Sequence, residues 1–349
     1  MTSGTRISPL RRADIPELSQ FLISGFGVPA TSSYFSHDVL SWKYFDGPGG
    51  PSEDSVCSLV ARSAARIVGH VGICPRQFIV SGDGRAPVST IHAIDWLGSA
   101  AHSGTGALLM LRAFATSQTQ YAIDGSAQAQ ALFPRLGFEQ KPKLAIFHKV
   151  LAPFHRLRTT DQGLFRKWAG TAKDMASVWR ARTPPVPQTV ELRSAPTFTE
   201  EIDCIPRQSS PRMVTCQRDH LLLNYFLRYP LSGISGWTIH TSQRMIGSAV
   251  LKITPHGQIQ LGKIVDCWLD TEDPSCWQAA VAALIDRLRA LSADTVTCYA
   301  TTPSLHAALL WNGFAKSGER NVYLRDTQQS LPRDLPIGLS MLEGDHAIL

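Results

Sequence analysis

Three places in this 349-residue sequence carry groups suited to chemistry. The first is His92 and Asp95, within STIHAIDWLG at 89–98. An imidazole exchanges a proton near neutral pH, so His92 could take one from an amine nucleophile; a hydrogen-bonded core histidine is the alternative. Asp95 could act as a base, anchor a substrate ammonium, or serve the structure through hydrogen bonds. On a strand the two point to opposite faces. The second place is the run Ser103, Gly104, Thr105, Gly106 and Ala107. Glycines entering a helix let backbone N–H groups close on an anion, and the helix N-terminus favours negative charge. The same glycines also suit an ordinary helix start. The third is Asp124, which could bind substrate or cap the following helix. His70 and Arg76 flank a hairpin strand and could reach an acceptor cleft, a solvated edge being the simpler expectation.

Around these residues the pattern predicts alternating strands and helices. A strand at Arg6–Leu10 precedes a helix through Leu18, Phe21 and Leu22, with Asp14 as its N-cap and Glu17 as the capping-box partner. DGPGGPSED at 46–54 reads as a loop. A hairpin follows at 56–62 and 66–74, then a strand at 89–98 and a helix at 104–117 with Leu108, Leu111 and Phe114 among its apolar positions. A strand at 121–124, a helix at 127–136 interrupted by Pro134 and ended by Gly137, and a strand at 144–151 complete the first half.

The second half repeats that order. A hairpin at 237–241 and 245–253 leads to a strand at 258–269, a helix at 277–291, a strand at 295–299, a helix at 305–311 and a strand at 321–325. IDW at 94–96 returns loosely as VDCW at 265–268, and LGF at 136–138 as NGF at 312–314. The chain therefore divides into domains at 1–151 and 190–330, a linker at 152–189 and a tail at 331–349. Each domain is an α/β (α+β) unit with a mixed, mostly antiparallel sheet flanked by helices.

Composition narrows the class. Hydrophobic residues make up 44% and charged residues 18%, as in globular chains with a core, which excludes a disordered or collagen-like protein. The seven cysteines include no C-x-x-C pair, which removes the usual zinc and redox motifs and favours a reducing compartment. The first ten residues lack the apolar core of a signal peptide, and no run is long enough for a membrane span. A cytoplasmic location is expected. The net charge of +6 is concentrated in 151–190, which holds seven basic residues against two acidic ones. A general nucleic-acid surface is therefore not expected. In the linker Leu164, Trp168, Met175 and Trp179 share one helical face, with Arg166, Lys167, Lys173 and Arg180 elsewhere. That helix could bridge the domains or lie on a membrane surface.

The strand Ile91–Leu97, the run AAHSGTGALLM at 100–110 and the run SAQAQALFPRLGF at 126–138 resemble the GNAT (N-acetyltransferase) superfamily. The resemblance implies acetyl-CoA, or another acyl-CoA, as donor and a small-molecule amine as acceptor. It implies a pyrophosphate over Ser103, Gly104, Thr105, Gly106 and Ala107, and a pantetheine along the strand with Trp96 and Leu97, one of whose N–H groups would hold the oxyanion. It aligns Ser126 and Phe133 with the family's second signature. No metal is implied. Ala101 departs from the family's Gln or Arg, Ser103 stands where a basic residue is common, and Phe133 stands where many members carry the Tyr that protonates the leaving thiolate.

More narrowly, HAIDWL at 92–97, the paired architecture and EGDHAIL at 343–349 resemble the two-domain GNAT proteins of polysaccharide biosynthesis and the cell envelope. That implies an acceptor amine on an amino sugar or envelope precursor. In the second half DTEDPSC at 270–276 has no glycine and three acids, so no coenzyme A is expected there. Two other functions fit the pattern. One is a Fem-type aminoacyl transferase, against which the weak basic charge outside the linker counts. The other is a non-catalytic scaffold, kept open by Ala101 and Phe133.

Overall fold

The computed structural model describes residues 5–48, 57–158, 167–172, 174–175, 188–205, 212–242 and 244–344. Its strands are β1 (Arg6–Pro9), β2 (Ser58–Ser63), β3 (Arg66–Val80), β4 (Val88–Gly98), β5 (Thr119–Ile123), β6 (Glu139–Val150), β7 (Glu191–Ala195), β8 (Val214–Cys216), β9 (Ile234–His240), β10 (Met245–His256), β11 (Ile259–Leu269), β12 (Thr295–Ala300), β13 (Ala315–Asp326) and β14 (Ile337–Gly338). The helices are α1 (Ile15–Phe26), α2 (His37–Phe45), α3 (Thr105–Phe114), α4 (Ala127–Leu132), α5 (His220–Leu227), α6 (Pro274–Ala290) and α7 (Pro303–Trp311). All the strands join one mixed sheet whose main path runs β1-β2-β3-β4-β5-β13-β6-β12-β11-β10-β9-β7.

The order hairpin, strand, helix, strand, helix, strand occurs twice, as β2 to β6 and as β9 to β13. The last strands cross over. β13 pairs antiparallel with β5 of the first series, while β6 pairs antiparallel with β12 of the second. The repeated L/N-G-F has a local cause. Gly137 and Gly313 both take left-handed φ values, 83° and 76°. In each case the following phenylalanine N–H returns to the carbonyl five residues back, Phe138 to Phe133 and Phe314 to Leu309, both at 3.0 Å. This is a glycine-ended helix stop that drives an aromatic side chain into the core.

Four clusters fill the interior. One lies beneath α3 and includes Leu109, Met110, Ala113, Phe114, Phe133 and Phe138. Another lies under α1 and α2, with Leu18, Leu22, Leu40 and Tyr44. A third surrounds α6 and α7. The largest joins both series through Trp42, Tyr121, Tyr225, Trp268 and Met341.

Several expectations are corrected. Asp14 does not cap α1 with its side chain; its carboxylate takes the Arg11 N–H at 3.1 Å and pairs with Arg62. Glu17 reaches across to the Ile67 N–H at 2.7 Å instead of closing a capping box. On α3, Leu108 and Leu111 are exposed, and Leu109, Met110 and Ala113 face the core. Residues 337–343 are built into the fold, with Met341, Leu342 and Glu343 buried. In the linker, Trp168 and Met175 are exposed while Thr171 and Asp174 are buried, so at these residues the apolar face does not pack as a bridge between the domains would. Leu164, Arg166, Lys173, Trp179 and Arg180 lie outside the described residues. Among the described residues no helix is long and apolar enough to cross a membrane.

Candidate active site

β4 and β5 run parallel but pair only from Thr90–Thr119 to His92–Tyr121. Beyond that point β5 follows β13 and β4 follows β3. The parting is assisted by a bulge. Val71 of β3 faces both Asp95 and Trp96, between the pairs His70–Leu97 and Gly72–Ile94. Asp95 sits there at φ 48°. A bulge bends its strand and leaves one residue out of the ladder. The wedge between the strands is a cavity of about 440 Å³. Its wall includes His92, Asp95, Trp96, Asp124, Ser126 and Phe133. That volume is within the range of ligand pockets, ~300–1,000 Å³.

The start of α3 adjoins this wedge through Trp96, whose indole N–H donates to the Gly106 carbonyl at 2.9 Å. Gly104, the N-cap, has φ 82° and no side chain caps the helix. The first bond within the helix returns from the Leu108 N–H to Gly104 at 3.0 Å, so the amides of Gly106 and Ala107 have no partner inside the helix. Ser103, Gly104 and Ala107 are exposed. Thr105 is buried and packs beside Gly69, so it contributes backbone, not hydroxyl, to this surface. His102 on the same loop has a buried Nδ1 with no hydrogen-bond partner. An uncapped, glycine-bearing helix start with Ser103, Gly104 and Ala107 exposed fits a phosphate group. The counterpart on α6 differs. There Asp273 is the N-cap and accepts from the Ser275 N–H at 2.9 Å. A carboxylate of the chain already holds that N-terminus, and these hydrogen bonds keep its pKa below the ordinary value.

Asp95 lies in a polar network that the sequence did not reveal. Its carboxylate accepts from Lys43 Nζ at 3.0 Å, Tyr44 hydroxyl at 2.5 Å and Tyr34 hydroxyl at 3.2 Å. Lys43 also sits 3.2 Å from the centre of the Tyr34 ring. Burial alone would raise the Asp95 pKa, but Lys43 and the Tyr44 hydroxyl outweigh it and hold the group below its ordinary value. His70, expected at a solvated edge, is wholly buried. Its ring spans Ser58 Oγ at 2.8 Å and the Asp95 carbonyl at 2.9 Å. Burial lowers its pKa to about 4, so it is neutral at physiological pH.

His92 takes a different environment. Its ring stacks on Tyr121, with centres 4.6 Å apart and planes 6° from parallel. Asp124, at φ 56°, binds the second series: its carboxylate accepts from the Asn321 N–H at 2.9 Å and pairs with Arg320 at 2.8 Å. It does not cap α4. Ser126 does, accepting from the Ala129 N–H at 3.2 Å. Phe133 packs against Phe138 and Tyr323, 5.1 and 4.7 Å between centres. Leu97 packs on Gly25 of α1 and is off the cavity wall. Lys43, Tyr44 and Tyr34 had no motif to mark them; a lysine among the apolar residues of HDVLSWKYF was the available signal. Among the described residues no three metal-binding side chains gather.

No protein-family model matches the sequence, and no curated protein matches it. The fold does match known structures. A GCN5-related N-acetyltransferase from Anabaena variabilis superposes with TM-score 0.59 at 12% identity, over 93% of this chain and 73% of the other. Saccharomyces cerevisiae N-myristoyltransferase, solved with bound myristoyl-CoA, gives 0.59 at 12%, over 93% and 83%. Eis1 from Mycobacterium abscessus gives 0.52 at 13%, over 92% and 73%. The chain thus has the fold of the GCN5-related N-acetyltransferases, and the wedge between β4 and β5 lies within it.

Proposed function

We propose that the protein is an acyl-CoA-dependent N-acyltransferase built from two tandem GNAT-like units, with donor chemistry in the first. The observation that carries this reading is Trp96, which lines the β4–β5 wedge and donates its indole N–H to Gly106 at the uncapped start of α3. An acyl-CoA would supply an activated thioester. Backbone amides over 103–107 would hold its pyrophosphate, and Trp96, Ser126 and Phe133 would line the path of its pantetheine arm. Leu97 would act from behind, fixing the strand on α1.

His92 is the candidate base, since an imidazole on the cavity wall can accept the proton that an attacking amine must lose. Asp95 we assign a positioning role: three donors already fill its carboxylate, and through its carbonyl it orients His70. Asp124 would tie the wedge to the second unit through Arg320. An oxyanion would meet an N–H at the bulge near Trp96. Phe133 offers no proton to the leaving thiolate, which is weakly basic and can depart unprotonated. The carboxylate cap on α6 supports the reading that the second unit takes no coenzyme A and instead shapes the acceptor side. We extend the acceptor to an amine on an amino sugar or envelope precursor, acted on in the cytoplasm.

Calorimetric titration with acetyl-CoA, followed by thiol release in the presence of amines, tests the proposal. Binding with turnover is expected. Binding without turnover across a broad amine panel would leave the donor site standing and the acceptor unidentified, and no binding would remove the donor site in favour of the scaffold reading.

A further inference from the structure

Along the outer edge of β3 the pairing with β2 ends at Gly72–Ser58, with one further bond from the Ile73 N–H to Cys57. Pairing with β8 begins at Phe78–Cys216, preceded by a bond from the Gln217 N–H to Gln77. Between them stands Pro75, which has no N–H to offer a neighbouring strand. A second cavity of about 300 Å³ opens at this gap, lined by Pro75, Arg76, Gln77, Ser89, Gln217 and Asp219 among others.

Arg76 is the anomaly there. It is partly buried, and among the described residues its guanidinium donates to the Pro75 carbonyl at 2.9 Å. Its Nε is screened from solvent and has no partner. The Phe226 ring lies 5.9 Å away. No carboxylate among the described residues pairs with it. Lys43 is buried with Asp95 and Arg218 with Asp266 and Glu343, whereas the buried Lys149 donates to a backbone carbonyl, that of Asn312, at 2.6 Å. Asp219, on the same cavity wall, is committed elsewhere, accepting from the Leu222 N–H and from Gln217 Nε2, each at 2.8 Å. Gln217 Oε1 is in turn a buried acceptor without a donor. The cavity wall thus carries a guanidinium with no carboxylate partner among the described residues, which suits a ligand with an anionic group.

The position relates this cavity to the candidate active site. Arg76 lies opposite Thr90, and Cys74 opposite His92, so Arg76 and His92 share one face of the sheet. They are two residues apart along the ladder, about 7 Å at the usual strand rise. We propose that Arg76 binds the carboxylate or phosphate of a small ligand and that this ligand, if the acyltransferase reading holds, is the acceptor amine, held by its anionic end.

Thermal unfolding and calorimetry of the full chain and its Arg76→Met and Arg76→Lys variants test the site without any reaction. Inorganic phosphate and acetate serve as probes, against sodium chloride at matched ionic strength. The expected result is that phosphate or acetate raises the wild-type Tm beyond the chloride control. Arg76→Met should lose that binding at least tenfold, and Arg76→Lys should keep part of it. Without ligand, Arg76→Met should unfold no earlier than wild type, because an unpaired cation is removed. A lower Tm for Arg76→Met, or anion binding unaffected by it, overturns the site. The acceptor clause is tested by thiol release from acetyl-CoA with glycine against ethylamine and phosphoethanolamine against ethanolamine. The anionic member should be preferred at least tenfold in kcat/KM, through KM, and Arg76→Met should erase the preference. Equal use of both members overturns the acceptor clause. Turnover of none overturns the acceptor clause, while acetyl-CoA binding and the broad amine panel decide the acyltransferase reading and the phosphate titration decides the anion site.

Discussion

Asp95 on β4 and Asp266 on β11 stand at matching points of the two repeated series, each beside a bulge, and each is held by a buried cation from outside its own strand. Lys43 of α2 reaches Asp95 at 3.0 Å, and Arg218, just before α5, reaches Asp266 at 3.0 Å. The bulge on β11 places Val265 as the extra residue between the pairs Val250–Asp266 and Leu251–Ile264. The repeated aspartate therefore anchors a helical segment to a bent strand in both series. In the second, Glu343 joins through Arg218 and draws 337–343 against the sheet, where Leu339 bonds Thr301.

Breaking the first pair should be costly. Lys43→Met leaves a buried carboxylate, and Asp95→Asn leaves a buried ammonium. Each should lose about 3–5 kcal/mol in urea unfolding. The double variant should lose less than the two losses added, because no unpaired charge remains. Additive losses would show that the pair is not coupled.

Stability should also fall in acid before ordinary carboxylates titrate. The buried His70 has a folded pKa lowered to about 4 from 6.5. A lowered histidine pKa means the unfolded chain binds the proton more readily, so stability is full above about 6.5 and drains as the pH falls towards 4. The limit is about 3 kcal/mol at 1.36 kcal/mol per unit. Asp95, also lowered, adds a loss of the same sign further down. Unfolding free energies between pH 7 and 4 for wild type and His70→Gln provide the check, and His70→Gln should show the shallower decline.

The parts foreseen from the sequence are those fixed by local backbone. The glycine stops before Phe138 and Phe314 and the glycine entry to α3 need no distant partner, and both were readable. Helix α2 was not. Val39, Leu40, Trp42, Lys43 and Tyr44 are buried while His37 and Asp38 are exposed, so the lysine on the buried face and Phe45 beside Ser41 on the outer one blur the helical period. Its lysine finds its carboxylate 52 residues away. The crossover of β6 and β13 was equally hidden, since alternation marks a strand without naming its neighbour. Asp14 and Glu17 mimicked a capping box because Arg62 and the Ile67 amide, their real partners, lie on other strands of the fold.

The helix entry makes a prediction that separates binding from folding. A side chain at Gly104 would meet nothing within 4 Å, yet its φ of +82° disfavours a branched residue. Gly104→Val should therefore cost about 1–3 kcal/mol of strain while leaving the fold in place. It should abolish calorimetric binding of acetyl-CoA by displacing the backbone amides. Retained affinity would remove the loop from the donor site. Asp273→Ala supplies the control at the other helix start, and it should leave acetyl-CoA affinity unchanged.

The last prediction concerns proton transfer. If His92 is the base, His92→Gln should lower kcat/KM by about 10²–10⁴-fold and remove the limb of the pH profile that an imidazole controls. Asp95→Asn should reduce activity chiefly through stability, leaving the shape of that profile intact. Glutamine keeps much of the contact that His92 makes with the Tyr121 ring, so a loss in rate with an unchanged Tm would isolate chemistry from packing. Phe133→Tyr probes the other proton. The far edge of the Phe133 ring lies against Gly125 on the cavity wall, so a hydroxyl there would emerge beside the wedge. The gain should fall below the ~10²–10⁴ of a general acid, because a thiolate needs little help to leave. A several-fold rise in kcat that also depends on His92 would make the two residues acid and base of one reaction. A rise that survives His92→Gln would transfer the base to another group. An unchanged rate would mean that bond formation by the amine, and not departure of the thiolate, limits turnover in this site.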